Sequence, residues 1–313
     1  MDRKFLQQLE QVPNRYGDEA LFNLIQRTKE GARQRFCRLS DLVKNRLINE
    51  FELIYVTNTA KLFLFWSDIV SAIKQRIYPY ICSIQNCSLV CYCLGITEVN
   101  PLLTYSYFER LLTPKSTNIP VLLIEVSKGK GEEVSEYLEE EEKALIEIKE
   151  NAARPNLDPK DVADFFKQQT YENREILQNV AVSLGIIGKK KAPETVRELA
   201  DLLVYKRYAE FMDEPPSLLY QEDAVDLLVK VGLSYEEAEC ARRAIVKKNR
   251  TEIRFYYNLF ERTARKKGYS INEANAMFCV VEEETFYTIC RASYIAMAQY
   301  LYMDTFFQKK IKE

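Results

Sequence analysis

No histidine occurs anywhere in the 313 residues. Its absence removes the commonest general base, the Ser-His and Cys-His nucleophile pairs, and every Cys/His zinc pattern. The eight cysteines include no Cys-x-x-Cys spacing, and the chain is far longer than a small disulfide-built secreted domain, so reduced thiols and a cytoplasmic setting are expected. An excess of charge of either sign is also missing. Lys and Arg number 44 against 46 Asp and Glu, a net charge of -2, so a nucleic-acid role has to be local. No apolar run approaches the roughly 20 residues that span a bilayer, and the first residues lack a signal-type apolar core, so no membrane insertion is expected.

What is present centres on residues 79 to 126. Pro120-Val-Leu-Leu-Ile-Glu-Val126 is an apolar run bounded by Pro120 and the loop Lys128-Gly-Lys-Gly131, the pattern of a strand covered on both faces. Alternation along a strand puts Val121, Leu123 and Glu125 on one face. Two carboxylates at such i and i+2 positions can hold metal ions together; here two of the three positions are apolar. The clustered Cys82, Cys87, Cys91 and Cys93 read as small buried apolar groups.

Three segments carry a family likeness. Asn86-Cys-Ser-Leu-Val-Cys-Tyr-Cys-Leu-Gly-Ile-Thr-Glu-Val-Asn-Pro101, Phe108-Glu-Arg-Leu-Leu-Thr-Pro114 and Ile119-Pro-Val-Leu-Leu-Ile-Glu-Val126 resemble the palm of the bacterial DNA polymerase III alpha subunit, the C family. Its runs there are Gly-Ser-Leu-Val-Ala-Tyr-x-Leu-Gly-Ile-Thr, Phe-Glu-Arg-Phe-Leu-Asn-Pro and Pro-Asp-Phe-Asp-Ile-Asp-Phe. The resemblance implies that the family's two metal-binding aspartates fall on Val121 and Leu123, with Glu125 as the vestigial acidic position, so that no catalytic residue, metal or other cofactor is expected. The family's Gly-rich phosphate loop corresponds to Pro79-Tyr-Ile-Cys-Ser-Ile-Gln85, where side chains would block a phosphate from the backbone amides. Remaining carboxylates such as Asp68 and Glu98 are a poor substitute for a two-metal ligand set.

Upstream, residues 1 to 12 predict a first helix, Asp18 toward Gly31 a second, Ser40 caps a third and residues 62 to 73 lie on a fourth. The family's Arg-Leu-x-x-Glu-Leu-x-x-Ile segment is read onto Arg46-Leu47 and Glu52-Leu-Ile54. Downstream, Gly131 to Glu150 is expected as a helix with nine glutamates against two lysines, either a solvated face or a segment that repels DNA or fills a basic groove of its own chain. Asp158 followed by Pro159 marks the next helix start. Asp161 to Val182 and Thr195 to Arg207 resemble the segment joining palm to fingers, where a full polymerase would have hundreds of intervening residues.

The fingers signature follows. Leu219-Tyr-Gln-Glu222 resembles Val-Tyr-Gln-Glu, and Ala238-Glu-Cys-Ala-Arg-Arg-Ala-Ile-Val-Lys-Lys-Asn249 resembles Ala-Asp-x-Leu-Arg-Arg-Ala-Met-x-Lys-Lys-Lys. Ser234-Tyr-Glu-Glu237 and Ser270-Ile-Asn-Glu273 form capping boxes. A last helix over 285 to 307 is expected to bury its aromatics, Phe286 and Tyr287 included. From Arg242 to Lys267 stand ten basic and two acidic residues, a net of +8. Arg242, Arg243, Lys247, Lys248 and Arg250 are therefore candidates for binding DNA or nucleotide. The alternative is an ion-pair network with the acidic stretch at 132 to 150.

The fold class expected is mainly α with a small α/β part: a truncated C-family palm over 1 to 155 joined to a helical fingers-like domain over 156 to 313. Function reads as a catalytically inactive polymerase-like protein that binds DNA or nucleotide in replication, repair or defence. The alternatives are an interaction module for replication proteins or for a second copy of itself, and a surviving nucleotidyltransferase.

Overall fold

The computed structural model describes residues 2–13, 15–140, 142–168, 173–185, 192–210 and 212–312. Glu141 of the acidic run and part of the 161 to 182 segment lie outside them. Two compact units emerge: Met1–Leu203 with Ala292–Glu313, and Val204–Arg291. The described residues are mainly helical, with a small two-stranded sheet, as the family likeness implies.

The first unit begins with α1 (Arg3–Glu10), α2 (Ala20–Arg35), α3 (Asp41–Val56) and α4 (Ala60–Ile73). Ser40 caps α3 by accepting from Val43 N, as its position at the head of an apolar-periodic stretch suggests. Helix α4 is apolar almost all round and buries Leu62, Phe63, Leu64, Phe65 and Trp66, the mark of a helix enclosed on every side. The short α5 (Leu89–Cys93) lies against α2. Gly31 does not end α2. It lets α2 approach α5 so closely that a Cβ there would stand 1.7 Å from the Cys93 carbonyl oxygen.

Next come β1 (Leu122–Ser127), α6 (Gly131–Ser135) and β2 (Ile146–Asn151). The helix expected over Gly131 to Glu150 is thus replaced by one short helix, a 3-10 turn at Glu142–Ala144 and a strand. Like charges packed along 136 to 142 oppose a continuous helix. Ile146 and Ile148, two apart, suit a strand whose Leu122↔Ile146 and Ile124↔Ile148 pairs run parallel to β1. β1 is also covered on one face only. Leu122, Ile124 and Val126 are fully buried, whereas Val121 is 43% exposed and Leu123 and Glu125 are half-buried.

Helices α7 (Pro159–Gln168), α8 (Arg174–Ser183), α9 (Val196–Ala209) and, at the far end of the chain, residues 292 to 312 supply the unit's second core. There Phe165, Leu177, Val180, Leu199, Tyr300 and Met303 pack with Tyr78 and Tyr80. Asp158 caps α7 through Lys160 N at 2.8 Å. The second unit holds α10 (Gln221–Val231), α11 (Tyr235–Val246), α12 (Arg250–Lys266) and α13 (Ile271–Glu284). Both expected capping boxes form, Ser234 with Glu237 and Ser270 with Glu273. α14 (Arg291–Lys312) starts six residues later than its aromatic pattern suggests. Ile289 pairs with Tyr220 instead, and Phe286 and Tyr287, expected in the core, are 44% and 49% exposed.

Candidate functional site

Glu125 stands midway along β1, at the strand face shared with Val121 and Leu123. The loop before α5 is laced to this strand. Tyr80 and Glu125 exchange backbone hydrogen bonds at 2.8 and 2.9 Å, and Gln85 Nε2 donates to the Val121 carbonyl at 2.9 Å. Asn86 Nδ2 donates to the carbonyls of Ile81 and Ser83. The amide side chains of Asn86 and Gln85 are thus spent on backbone carbonyls, those of the loop itself and that of Val121 just before β1.

The Glu125 carboxylate faces a cation from its own chain. Arg154, in the turn after β2, donates from Nε to Glu125 Oε2 at 3.3 Å and is 5% exposed. Its Nη1 lies 3.6 Å from Asp304 Oδ2 on α14, its Nη2 donates to Cys82 Sγ at 3.4 Å, and its plane covers the rings of Tyr80 and Tyr300. Tyr80 Oη donates to the Pro155 carbonyl at 2.9 Å and to Asp304 Oδ1 at 3.3 Å. Burial works against the Arg154 charge, yet Cys82, Glu125 and Asp304 together hold the guanidinium more firmly protonated than usual. Burial raises the Asp304 carboxyl to about 7 even with Arg154 and Tyr80 opposing it. It likewise pushes the Cys82 thiol up to about 12.

The family's metal ions do not fit these donors. Val121 and Leu123 offer no oxygen, and Glu125 is engaged by a guanidinium, whereas a two-metal centre needs several anionic oxygens converging on ions about 4 Å apart. The other carboxylates considered from the sequence are engaged as well. Asp68 accepts from Tyr16 Oη and Arg27, both at 2.6 Å. Glu98 pairs with Arg35 at 2.8 Å and Lys74 at 2.7 Å; burial disfavours its charge, but these two cations outweigh burial and hold the carboxyl below its usual range.

Sequence reasoning missed Glu50. It assigned the acidic position of the Arg-Leu motif to Glu52, which is exposed. Glu50, one turn after Arg46 and fully buried, takes the ion pair at 2.7 Å. It also accepts from Ser88 Oγ, Leu89 N and Val90 N at 2.8 to 3.0 Å. The Ser-Leu-Val motif is therefore locked by an internal carboxylate at the head of α5. Burial pushes the Cys93 thiol up to about 12 and raises that of Cys91 still further, so both are protonated and act as packing groups.

In the second unit the five candidate cations separate into two kinds. Arg242 is 7% exposed and grips Glu239 with Nε and Nη2 at 2.8 and 2.7 Å. Arg243 Nε reaches the same carboxylate at 2.8 Å. Their carboxylate partner lies one turn back on α11, the i to i+3 and i+4 geometry of a helix. Lys247, Lys248 and Arg250 are exposed around the turn from α11 to α12. Arg254, Arg262, Arg265, Lys266 and Lys267 continue that exposed basic surface along α12. The missed anchor of this unit is Glu222, fully buried, which accepts from Arg291 N at 2.9 Å; the Arg291 side chain pairs with Asp223.

Comparison with known proteins adds the family. An error-prone DNA polymerase of Burkholderia mallei is 36% identical over 122 residues, 37% of this chain and 11% of the relative. One from Idiomarina loihiensis is 32% identical over 118 residues, again 37% and 11%, and one from Vibrio parahaemolyticus 29% over 140 residues, 44% and 13%. The chain spans only about a tenth of the length of these relatives. The family model for the bacterial DNA polymerase III alpha NTPase domain matches residues 22–214, from α2 beyond the end of α9. Because that match takes in more than half of the chain, including the Ser-Leu-Val motif, β1 and the turn that carries Arg154, the chain belongs to the bacterial DNA polymerase III alpha family.

Proposed function

We propose that the chain is a polymerase-type scaffold without nucleotidyl transfer, which binds DNA through the turn between α11 and α12 and the exposed side of α12, acting in the cytoplasm. The observation that carries the reading is the exposed run Lys247, Lys248, Arg250, Arg254, Arg262 and Arg265, accompanied by only two carboxylates, Glu252 and Glu261. In a chain with a net charge of -2, that local excess suits a polyphosphate backbone. The relatives are DNA polymerases by name, so DNA is the ligand carried over. Loss of chemistry is supported by Val121 and Leu123, which offer no ligand atoms, and by Arg154 at Glu125.

Binding of the purified chain to labelled primed DNA, followed by anisotropy over a salt series, tests this. Changing Lys247 and Lys248 to Ala should weaken binding and flatten the slope of log K against log salt by about two, roughly one for each lost phosphate contact. No primer extension is expected with magnesium or manganese. Extension that disappears in Glu125→Ala, or absence of DNA affinity at low salt, overturns the reading. A second reading, an interaction module for replication proteins or a second copy of the chain, draws on the groove at the end of α3. Leu21, Ile54, Tyr55, Val56, Asn58 and Ala60 line it, with Tyr55 70% exposed. It predicts self-association by sedimentation and no DNA binding.

A further inference from the structure

We infer that the basic surface of the second unit takes single-stranded rather than duplex DNA, with unpaired bases stacking on Phe255, Phe286 and Tyr287 between its cations. This deepens the DNA-binding reading and rests on it. Three large rings stand in solvent here: Phe255 is 61% exposed, Phe286 44% and Tyr287 49%. Each leaves apolar surface in water that burial would stabilise by roughly 25 cal/mol per Å².

Phe286 stands beside Lys248 and Phe255 beside Arg254, and Tyr287 follows Phe286 after the exposed Glu282 and Glu283 near the end of α13. Lys248 adopts φ of 54°, a left-handed conformation that a lysine enters at a cost, and its Nζ then lies 5.5 Å over the Phe286 ring. Such a contact holds cation and ring as one unit, with the ammonium free to meet a phosphate beside a stacked base. Asn249 follows as the cap of α12, accepting from Glu252 N, and so fixes the turn to the helix. Along α12, Phe255 follows Arg254 directly and by its spacing shares a helical stripe with Asn258, Arg262 and Arg265, the last three of which border a surface pocket together with Glu261. At 1.5 Å per residue the stripe runs about 15 Å from Phe255 to Arg265. The neighbouring Tyr256, 5% exposed, meets Phe255 edge to face at 5.1 Å, which steadies a ring that remains largely in solvent.

A duplex offers this surface its phosphates but keeps its base faces inside the stack, so the rings would gain nothing. A single strand offers both, and its bases stack on exposed rings without regard to sequence. The phenolic oxygen of Tyr287 and the amide of Asn258 can add hydrogen bonds to whichever base edge arrives.

The test uses the full chain with labelled oligo-dT, a duplex of equal length, and oligo-U, measured by anisotropy over a salt series. One variant carries Phe255→Ala, Phe286→Ala and Tyr287→Ala together; a second carries Leu at the same three positions to keep apolar bulk without a flat ring. Lys247→Ala with Lys248→Ala is the charge control, and circular dichroism melting confirms that each variant folds. The expected result is tighter binding to oligo-dT than to duplex, and affinity for oligo-dT at least about fivefold weaker in both ring variants. Duplex affinity and the salt slope should barely move, because no charge has changed. Equal affinity for strand and duplex, or ring variants that bind as the parent does while the lysine variant weakens, sinks the stacking inference and leaves DNA binding standing. Tighter binding to oligo-U than to oligo-dT overturns the choice of DNA. Failure to bind any of the three overturns both readings.

Discussion

Asp304 should make the first unit less stable as pH rises, and the size of the effect follows from its surroundings. Its carboxyl is 4% exposed, accepts from Tyr80 Oη at 3.3 Å and lies 3.6 Å from Arg154. Burial holds its folded value at about 7 against 3.8 for an ordinary aspartate. Between those values the folded chain keeps a proton that the unfolded chain has released. The folded state thus binds more protons, and stability falls as pH climbs from about 4 to about 7, then levels off. Roughly three pH units at 1.36 kcal/mol each come to about 4 kcal/mol. Asp304→Asn preserves the shape and an acceptor for Tyr80 but cannot ionise. Urea melts followed by the fluorescence of Trp66, the single tryptophan and fully buried in α4, report on this unit. The stability of the parent relative to Asp304→Asn should drop by about 4 kcal/mol from pH 4 to pH 8. Using the difference cancels the groups common to both chains, among them Glu98, whose lowered value contributes the opposite slope below about pH 4.5. Parallel curves for parent and variant, or a difference that grows with pH, would refute the assignment of Asp304 as a buried, protonated acid.

Two further outcomes follow. Gly31→Ala should cost more than about 2 kcal/mol in the same urea assay: helix propensity favours Ala by about 1 kcal/mol, but the added carbon would stand 1.7 Å from the Cys93 carbonyl, which only a shift of α2 against α5 relieves. An unchanged midpoint would show that the two helices do not meet there. Aspartates at 121 and 123 should destabilise by only about 1–2 kcal/mol, since Val121 is 43% exposed and Leu123 half-buried, and should not restore primer extension while Arg154 neutralises Glu125. Calorimetry reads the first effect; extension by the double variant would refute the second.

Local signals in the sequence were the legible ones. The two Ser-x-x-Glu boxes, the Asp158-Pro159 start and the apolar run of α4 each declare themselves within a few residues, and each forms as read. The stretch from 131 to 150 did not, because glutamate and lysine are good helix formers by propensity and the deciding feature was tertiary: Ile146 and Ile148 find a partner in β1. Glu50 was legible but misassigned: the Arg-Leu-x-x-Glu spacing counted from Arg46 falls on Glu50 rather than Glu52, and the ion pair with Arg46 and the approach of α5 agree with that count. Phe286 and Tyr287 fit a helical period with the residues after them, yet Thr285 to Cys290 forms a turn tied to Tyr220, and the rings end in solvent.

Arg154 was illegible for a different reason. It lies 29 residues beyond Glu125 and 150 before Asp304, in a turn read as a boundary, and nothing local marks it. Its role follows from electrostatics. A half-buried carboxylate on β1 loses hydration, and one permanently charged planar group beside it offsets that cost while its far edge meets the buried Asp304 carboxyl of α14. A divalent cation could do the same, but it would need the oxygens that Val121 and Leu123 lack. In this chain the positive charge at the strand is therefore covalently attached. It stacks on Tyr80 and Tyr300 and holds its turn against the core of the first unit. Charge balance at Glu125 is thereby coupled to folding: restoring metal ligands alone would place new carboxylates beside a site whose cation is already supplied, and removing Arg154 alone would leave Glu125 and Asp304 without it.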